Sequence, residues 1–435
     1  MSTTIRDELL EKLNNRSANI GVIGLGYVGL PLLLRFIEAG YKATGFDIDP
    51  AKIEDLEAGR SYLKHIPIDV LSNNEQWDVT TDFSRISEVE AIILCVPTPL
   101  DDYRQPDLSY VTNSVESVLP YMRKGQVMSL ESTTYPGTTE EELKPRLESA
   151  GFIVGEDVFL VYSPEREDPG NANFNTQTIP KVCSGSTENC REIAKALYGQ
   201  VVDEVVPVSS TQVAEMTKIL ENTYRAVNIA LVNELKMVAD KMDIDIFEVI
   251  RAAATKPFGY TPFYPGPGLG GHCIPIDPFY LTWKAREYGI ATRFIELAGQ
   301  INTSMPAYVV SKVTEALNNY GKSVKGSKIL VLGIAYKKNI DDTRESPGAE
   351  IIEELIELGA DVSYSDPHVP KFPRMRKHNL DLDSVDIYPE IISEFDCIVV
   401  ATAHDNFPWT DIVKNTMLLV DSRGVLEAAG KIIRA

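Results

Sequence analysis

The chain reads Asn19-Ile-Gly-Val-Ile-Gly-Leu-Gly-Tyr-Val-Gly-Leu-Pro31 close to its amino terminus. This stretch predicts a short buried strand, a glycine-rich turn and the start of a helix. Gly24 permits the tight turn, Gly26 lets a phosphate group approach the backbone, and Gly29 lets the helix pack closely on the strand. A pyrophosphate would lie on the N-terminal end of that helix. The stretch therefore predicts a doubly wound α/β domain that binds a dinucleotide.

A second strand-like run, Thr44-Gly-Phe-Asp47, ends in an acidic residue. Its distance from the glycines is close to the ~20 residues that this motif requires. Asp47 is expected to hydrogen-bond the ribose hydroxyls of adenosine and to repel a 2′-phosphate, which favours NAD over NADP. The alternative is that Asp47 is only a turn residue at a strand end.

Three further apolar runs, at residues 91–98, 126–133 and 158–165, predict parallel strands buried on both faces. Ligands bind at the carboxyl edge of such a sheet. Thr98, Thr133 and Glu165 are therefore candidates to line one crevice, although Thr133 and Glu165 could equally be cap or turn residues. Residues 181–185 and 201–207 predict the last strands before the composition changes near residue 208.

Composition limits the possible functions. The 435 residues suffice for about three domains, and 44% apolar and 24% charged residues are typical of a soluble globular protein. The net charge of −21 argues against a nucleic-acid or anionic-membrane partner. We find no signal-like or membrane-spanning run. Five cysteines without metal-ligand spacing predict no metal site and fit a reducing cytoplasm, with Cys95 and Cys397 as inert core residues.

A long helix is predicted next, with Ser209 or Ser210 as its N-cap and its end near Lys241. At ~1.5 Å per residue it would be about 45 Å long, which suggests a spine between domains or a dimer interface. Lys218 and Asn222 are four residues apart and share one face of it, although a solvated polar face is the ordinary interpretation. Its apolar residues recur at helical spacing at Val213, Met216, Leu220, Val227, Leu231, Leu235 and Val238.

A glycine-rich loop follows, with the sequence Tyr264-Pro-Gly-Pro-Gly-Leu-Gly-Gly-His-Cys-Ile-Pro-Ile-Asp-Pro278. Its glycines would let the backbone approach a ligand closely. Asp277 as N-cap and Pro278 as first helical residue predict a helix start. Cys273 would then lie one turn ahead of a helix N-terminus, where partial positive charge favours a thiolate. Cys273 is the candidate nucleophile; the alternative is a chance cysteine in a surface loop.

The carboxy-terminal part repeats the order strand, loop, helix, strand ending in Asp. Residues 328–336 resemble the first glycine stretch, and residues 362–367 and 395–402 parallel the strands that end at Asp47 and Thr98. A second nucleotide-type α/β unit is therefore predicted.

The loop of this second unit carries Lys337, Lys338 and Asp341-Asp-Thr-Arg-Glu-Ser-Pro347 in place of the third glycine. Basic residues at this position suit a phosphate group. Arg423 follows the run that we predict to be the final strand, so it also lies at a carboxyl edge.

Three motifs follow one another along the chain. They are Gly24-x-Gly26-x-x-Gly29, the Lys218/Asn222 pair followed by Gly-Gly-His-Cys273-x-x-x-Asp277, and Asp-Thr-Arg344-Glu-Ser-Pro. Over essentially the whole chain they resemble the UDP-glucose/GDP-mannose dehydrogenase family. The sequence of the cysteine loop is similar to that of the bacterial and archaeal UDP-N-acetylhexosamine 6-dehydrogenases. It is most similar to members that oxidise UDP-N-acetylglucosamine for surface polysaccharides such as the O-antigen of lipopolysaccharide.

The resemblance implies an α/β fold with two Rossmann-like domains joined by a central helical domain. The implied bounds are 1–207 for the NAD-binding domain, 208–308 for the dimerisation domain with the cysteine loop, and 309–435 for the UDP-sugar-binding domain. It also implies a homodimer or higher oligomer through the central helix. Lys256 is the nearest counterpart of an arginine that the family supplies from the partner subunit.

The reaction implied by the resemblance is a two-step, four-electron oxidation of a UDP-sugar C6 alcohol to a carboxylate with two NAD. Cys273 would form a thiohemiacetal and then a thioester that water hydrolyses. The implied catalytic group is Cys273, Lys218, Asn222, Asp277, Thr133 and Glu165. The implied cofactor group is Gly24, Gly26, Tyr27, Val28, Gly29, Asp47, Thr98, Thr133 and Arg344. The implied substrate group is Glu165, Lys218, Asn222, Tyr264, Gly270, Lys337 and Arg423.

Several alternatives stay open. The same reaction could act on UDP-N-acetylmannosamine, UDP-N-acetylgalactosamine or UDP-glucose. A hydroxy acid dehydrogenase shares the first domain and the Lys/Asn helix, but it needs neither Cys273 nor a second nucleotide unit. A non-catalytic NAD-binding protein is disfavoured because the whole catalytic group is present.

Overall fold

The computed structural model describes residues 4–435 except 64, 65, 73, 75, 102, 168–173 and 272, together with the side chains of all described residues but Ser72 and Cys273. The chain divides into two compact units. Unit 1 comprises Met1–Glu221 and Phe279–Ile290, and unit 2 comprises Asn222–Pro278 and Ala291–Ala435. Within the described ranges, none of the helices combines the length and the apolar character needed to cross a membrane.

Unit 1 is built on a sheet of eight strands. The strands are β1 (Asn19–Ile23), β2 (Lys42–Phe46), β3 (Trp77–Thr80), β4 (Ala91–Leu94), β5 (Val127–Leu130), β6 (Phe159–Tyr162), β7 (Lys181–Gly185) and β8 (Val205–Pro207). Their order is β3-β2-β1-β4-β5-β6-β7-β8, and β7 is antiparallel to β6. The first six strands have the Rossmann order, which confirms the predicted dinucleotide-binding fold.

Continuous apolar runs explain why these strands form the centre of unit 1. Every residue of β1, β4, β5 and β6 is buried, because helices cover both faces of the sheet. The helices are α1 (Ile5–Asn14), α2 (Gly29–Glu38), α3 (Pro50–Glu57), α4 (Asp69–Ser72), α5 (Ser109–Val118), α6 (Lys144–Ser149) and α7 (Glu188–Tyr198). Helix α1 precedes the first strand and buries Leu9 and Leu13.

The long central helix is present as predicted. It is α8 (Thr211–Lys241), which runs from unit 1 into unit 2. The Ser210 hydroxyl accepts a hydrogen bond from the Val213 N–H at 3.3 Å and therefore caps the first turn. It is followed by α9 (Ile246–Ala253), α10 (Cys273–Glu287), α11 (Arg293–Thr303) and α12 (Met305–Asn319). The Asp245 carboxylate caps α9.

Helix α10 begins earlier than predicted. We expected Asp277 as the N-cap, but the helix starts at Cys273 and contains both Asp277 and Pro278. The prediction took Pro278 as the first helical residue, whereas Pro275 is the proline in the first turn, where N–H groups lack helical partners in any case. Cys273 is therefore the first residue of the helix, not one turn ahead of it.

Unit 2 contains a second parallel sheet. Its strands are β9 (Lys328–Leu332), β10 (Asp361–Ser365), β11 (Cys397–Val400), β12 (Leu419–Asp421) and β13 (Ile432–Arg434), and its helices are α13 (Pro347–Glu357), α14 (Pro389–Ile392) and α15 (Trp409–Asn415). The order β10-β9-β11-β12-β13 is a doubly wound arrangement, as the repeat predicted. The prediction that β12 is the final strand was wrong, because the short run at β13 pairs with it.

The two sheets build their first turn in the same way. Gly24 and Gly333 both have positive φ, at 89° and 82°. A Cβ at Gly24 would lie 2.6 Å from the Cys95 carbonyl oxygen, and a Cβ at Gly333 would clash with the Thr402 carbonyl oxygen. Each glycine thus lets the turn lie against the neighbouring strand end.

The second turn also keeps its third glycine, contrary to our prediction. A Cβ at Gly29 would clash with the Gly24 carbonyl oxygen, and a Cβ at Gly348 would lie 2.8 Å from the Gly333 carbonyl oxygen. Gly348, in the first turn of α13, is therefore the counterpart of Gly29. The motif was missed because a longer loop separates Gly348 from its strand.

Candidate active site

The carboxyl edge of the first sheet brings several predicted residues to one row. The last residues of five neighbouring strands pair in register: Ile23 with Phe46 and Leu94, Leu94 with Leu130, and Leu130 with Tyr162. Ligands bind beyond this edge in parallel sheets. The predicted residues that follow the row are Gly24, Asp47, Thr98, Thr133 and Glu165, of which Thr98 is buried and Thr133 half-buried.

The glycine turn fits a dinucleotide. A Cβ at Gly26 would meet no atom within 4 Å, so the space above the turn is open to a ligand. Tyr27 and Val28 are half-buried beside it, at the N-terminal end of α2. The main chain at this helix start can therefore receive a phosphate group.

Asp47 ties the turn to the end of β2. Its Oδ2 accepts a hydrogen bond from the Leu25 N–H at 2.8 Å, and its Oδ1 accepts one from the Asp49 N–H at 3.0 Å. The Lys52 ammonium also lies 2.8 Å from Oδ2. A carboxylate has about four acceptor sites, so one remains for a ribose hydroxyl. The sequence did not reveal Lys52, whose charge offsets part of the repulsion that Asp47 exerts on a 2′-phosphate.

Glu165 is held by its own turn and by a buried ion pair. Its Oε1 accepts hydrogen bonds from the Arg166 and Glu167 N–H groups, both at 2.7 Å. Its Oε2 lies 3.7 Å from Lys181 Nζ, and the same ammonium contacts Glu131 at 2.7 Å. Although burial lowers the pKa of Lys181, the two carboxylates raise it on balance. Lys181 therefore remains charged and fixes the position of Glu165.

Glu167 is a candidate proton acceptor that sequence reasoning missed. Burial and the adjacent charge of Glu165 raise the pKa of Glu167 to about 7. The Thr176 hydroxyl donates a hydrogen bond to its Oε1 at 2.8 Å. Next to Glu165, it is suited to exchange a proton near neutral pH. No local motif marks it, because its pKa depends on burial in the folded chain.

Asn222 and Asp277 meet in unit 2. The Asn222 Nδ2 donates a hydrogen bond to Asp277 Oδ2 at 2.6 Å, and both side chains are buried. Lys218, also buried, lies one turn earlier on α8. Asp277 lies one turn after Cys273 on α10. The Cys273 side chain is outside the described part of the structure, so its role as nucleophile stays a prediction.

Asn233 anchors the glycine loop, and sequence reasoning did not find it. Its Oδ1 accepts a hydrogen bond from the Gly266 N–H at 3.0 Å. Its Nδ2 donates to Asn302 Oδ1 at 2.9 Å, and Asn302 in turn bonds to the Ala226 carbonyl at 3.0 Å. The available signal was spacing, since Asn233 lies three turns after Asn222 on the same buried face of α8.

The glycines of this loop make room for the protein itself. We expected them to admit a ligand, but a Cβ at Gly270 would clash with Tyr336, and one at Gly268 would lie 3.2 Å from Pro347. The Gly271 N–H also donates to the Arg344 carbonyl at 2.8 Å. The loop therefore packs on the second nucleotide-type turn, and its contact with a ligand stays a prediction. Tyr264, at the start of the loop, is half exposed.

Arg423 lies beneath the same loop. A Cβ at Gly266 would lie 2.8 Å from Arg423 Nη1, and Arg423 Nε donates to the Ala401 carbonyl at 2.7 Å. Burial lowers the pKa of this guanidinium to about 10. Lys337 is half-buried in the turn after β9, and Arg344 further along bonds to Asp342 at 2.6 Å. Unit 2 thus places Arg423 and the Arg344 backbone against the glycine loop.

The remaining cysteines are core residues. Cys95, Cys183, Cys190 and Cys397 are buried and free. Burial raises the pKa of Cys95 and Cys397, as expected for inert thiols, and raises that of Cys183 to about 12.

Three family models match the chain in order. The UDP-glucose/GDP-mannose dehydrogenase NAD binding domain matches residues 18–202, the central domain matches 212–304, and the UDP binding domain matches 330–428. NAD is the cofactor that this family uses.

Similar proteins extend over nearly the whole chain. Protein CapL of Staphylococcus aureus is 37% identical over 417 residues, which cover 94% of this chain and 96% of CapL. The UDP-N-acetyl-D-glucosamine 6-dehydrogenase of Pseudomonas aeruginosa is 36% identical over 90% of this chain and 92% of that protein. The solved structure of a UDP-D-ManNAc dehydrogenase from Pyrococcus horikoshii has a TM-score of 0.86 and 30% identity, and covers 96% of this chain and 98% of that one. The chain belongs to the UDP-glucose/GDP-mannose dehydrogenase family.

Proposed function

We propose that this protein is an NAD-dependent UDP-N-acetylhexosamine 6-dehydrogenase and that UDP-N-acetylglucosamine is its substrate. The observation that carries the proposal is the 2.6 Å hydrogen bond from Asn222 to Asp277. It ties the helix that bears Lys218 to the helix that begins at Cys273. Lys218 and Asn222 on α8 and Cys273 on α10 are the ammonium, the amide and the nucleophile that an alcohol-to-acid oxidation requires.

The chemistry has four steps. The C6 alcohol loses a hydride and a proton to give an aldehyde. The Cys273 thiolate adds to the aldehyde carbon to give a thiohemiacetal, which loses a second hydride to become a thioester. Water then hydrolyses the thioester to the carboxylate and frees the thiol. When bound, NAD would supply the acceptor for both hydrides.

Each assigned group has a distinct task. Lys218 stabilises the oxyanions of the tetrahedral species, and Asn222 and Asp277 hold the start of α10 in place. Thr133 and Glu165, which follow neighbouring strands, position the hydrolytic water. Glu167, two residues after Glu165, has a pKa of about 7, which suits proton transfer near neutral pH.

The binding groups are divided between the two Rossmann-like sheets. The first turn and strand ends receive NAD, with Arg344 as a further contact. The nucleotide sugar is bound through Lys337, Arg423 and the loop from Tyr264 to Gly270. The chain has a net charge of −21, which repels a diphosphate. Lys337 and Arg423 supply the local positive charge that a diphosphate needs.

The choice of hexosamine rests on similarity. The Pseudomonas aeruginosa relative is named for UDP-N-acetyl-D-glucosamine and the Pyrococcus horikoshii structure for UDP-D-ManNAc. The sequence of the cysteine loop favours UDP-N-acetylglucosamine as the substrate, and UDP-N-acetylmannosamine is the second candidate. A single stereocentre separates these epimers, so a pocket discriminates between them by only ~1–3 kcal/mol.

We also propose a homodimer through α8. One side of this helix exposes apolar side chains along its whole length, as dimerisation would require. They are Val213, Met216, Leu220, Tyr224, Leu231, Leu235 and Val238. The proposed domain bounds stay at 1–207, 208–308 and 309–435. The four free thiols support a cytoplasmic location, where the product would enter surface polysaccharide synthesis.

A sugar panel tests the proposal. NADH formation is measured with UDP-N-acetylglucosamine, UDP-N-acetylmannosamine, UDP-N-acetylgalactosamine and UDP-glucose, with a 2-hydroxy acid as the control for the other dehydrogenase class. We expect the highest kcat/KM with UDP-N-acetylglucosamine. A preference for another UDP-sugar would overturn the substrate alone. Activity on the hydroxy acid but on no UDP-sugar would overturn the reaction.

A further inference from the structure

A cavity of about 390 Å³ lies within unit 2, and none of its lining residues has been assigned to the cofactor or to the substrate. It opens to the surface and is bounded by the second half of α8, the start of α9 and the chain around β13. Its size falls in the ~300–1,000 Å³ range of small-molecule sites. The wall is mixed: Ile244, Phe247 and Ile432 supply apolar surface, and Lys236 and Arg434 are the basic residues of the lining.

Lys236 is the most unusual group in this wall. Only 3% of the residue is exposed, and among the described residues none accepts a hydrogen bond from its Nζ. The ammonium lies 5.7 Å from the centre of the Tyr308 ring. A buried ammonium without an acceptor is costly unless something else compensates its charge.

The carboxylates near Lys236 are already paired with other cations. Asp240 contacts Lys312 at 3.1 Å, and Asp421 contacts Arg434 Nη1 at 2.6 Å. Arg434 Nη2 reaches Asp245 at 3.4 Å. The Arg434 Nε is buried and has no acceptor among the described residues. Two buried nitrogen donors of one cavity thus remain without an acceptor.

We propose that this cavity binds a small organic anion, with a carboxylate or phosphate group at Lys236 and a compact apolar body against Phe247 and the isoleucines. The anion supplies the acceptors that the protein does not. The apolar residues of the wall favour a ligand with an organic body over a bare hydrated ion, because only the former buries apolar surface against them. Asp240, Asp243 and Asp245 also line the cavity, and their negative charge disfavours ligands with a second anionic end.

Protonation supports the same assignment. Burial lowers the pKa of Lys236 to about 7, and the charges of Arg423 and Arg434 act in the same direction, while Asp421 and Asp240 raise it. A bound anion would favour the ammonium form and complete the charge balance.

The site is in contact with a proposed substrate residue. Phe247 packs against Gly424, where a Cβ would clash with its ring, and Gly424 follows Arg423. An anion beside Phe247 and Lys236 is therefore expected to change the KM for the nucleotide sugar. This coupling, unlike the binding itself, rests on the proposed function.

Covalent labelling tests the binding without reference to catalysis. Pyridoxal 5′-phosphate carries a phosphate and an aldehyde, so its aldehyde and a neutral Lys236 amine form an imine with loss of water, which borohydride reduces. We expect peptide mass spectrometry to find Lys236 labelled at a probe concentration that leaves the exposed Lys241 at least about tenfold less modified.

Competition then identifies the anion. Benzoate and inorganic phosphate are each added before the probe, and protection of Lys236 by benzoate alone, by phosphate alone or by both supports a carboxylate, a phosphate or a shared site. No protection by either, or Lys236 labelling no greater than that of Lys241, would overturn the proposal. Calorimetry with the protecting anion should lose binding in Lys236→Met and keep it in Lys241→Met.

A second measurement uses stability. The folded-state pKa of about 7 lies below the ordinary 10.5, so protonation favours the unfolded chain between these values. The free energy of unfolding of the wild type should therefore rise with pH across this window. That of Lys236→Met should not, so the difference between the two proteins should change with pH. A difference in unfolding free energy that stays constant with pH would show that burial does not lower the pKa of the Lys236 amine.

Discussion

Asn222 Nδ2 and Asp277 Oδ2 are 2.6 Å apart in a buried, charge-assisted hydrogen bond that joins α8 to α10. The two residues are 55 positions apart in sequence. The bond fixes the first turn of α10, which begins at Cys273, relative to the helix on which Asn222 lies. It is therefore the structural basis for placing the proposed nucleophile.

Asn222→Ala should destabilise the protein, because it removes a donor from a buried carboxylate. We expect a loss of about 1–3 kcal/mol in the free energy of unfolding, measured with urea. Asn228→Ala is the matched control, since its side-chain amide donates an exposed hydrogen bond to the Tyr224 carbonyl of its own helix. An equal loss in both variants would show that the Asn222–Asp277 bond contributes no more to stability than the Asn228 bond does.

Asp47→Ala should narrow the preference for NAD over NADP. The change removes the charge that repels a 2′-phosphate and leaves Lys52 to attract it. The ratio of kcat/KM for the two cofactors should fall by at least about tenfold, which is ~1.4 kcal/mol. Asp49→Ala removes only the N-cap of α3 and should leave the ratio unchanged. A wild-type enzyme that uses both cofactors equally would contradict the assignment.

Lys181→Met should be strongly destabilising, because it leaves the Glu131 carboxylate buried without its cation. A loss of about 3–5 kcal/mol is expected in denaturant unfolding. Replacing Glu131 by Leu in the same chain should recover part of it. Lys124→Met removes an ion pair with Asp157 in which the lysine is 63% exposed to water, and it should cost only ~0–1 kcal/mol. Similar losses for the two lysines would refute the buried-pair interpretation.

Leu231→Glu should convert a dimer into a monomer, because it places a charge in the exposed apolar row of α8. Light scattering at micromolar concentration measures the mass of both forms. Gln212→Glu introduces the same residue at an exposed polar position of the helix and should leave the mass unchanged. A monomeric wild-type protein would rule out the proposed dimer.

The sequence allows the edge of the first sheet to be predicted, because continuous apolar runs mark buried parallel strands and the next residues face the ligand side. Asp47, Thr133 and Glu165 follow from this rule. It does not reveal the pair of Lys181 and Glu131, since 50 residues separate them and only the fold brings them together.

Two local features also escaped prediction, for different reasons. Gly348 was missed because a motif with fixed spacing does not allow for a longer loop. The predicted start of α10 was wrong because we took Pro278, which lies inside the helix, for its first residue. In both places the backbone depends on contacts from distant residues, such as the bond from Asn222 to Asp277.

The most direct measurement is the number of NADH molecules formed per UDP-N-acetylglucosamine consumed, with the product identified by mass spectrometry. We expect two NADH and the C6 carboxylate from the wild-type enzyme, with no free aldehyde. Cys273→Ala should form almost no carboxylate, a rise of several kcal/mol in the barrier. One NADH per sugar with an aldehyde product, or carboxylate formation by Cys273→Ala at the wild-type rate, would contradict the account.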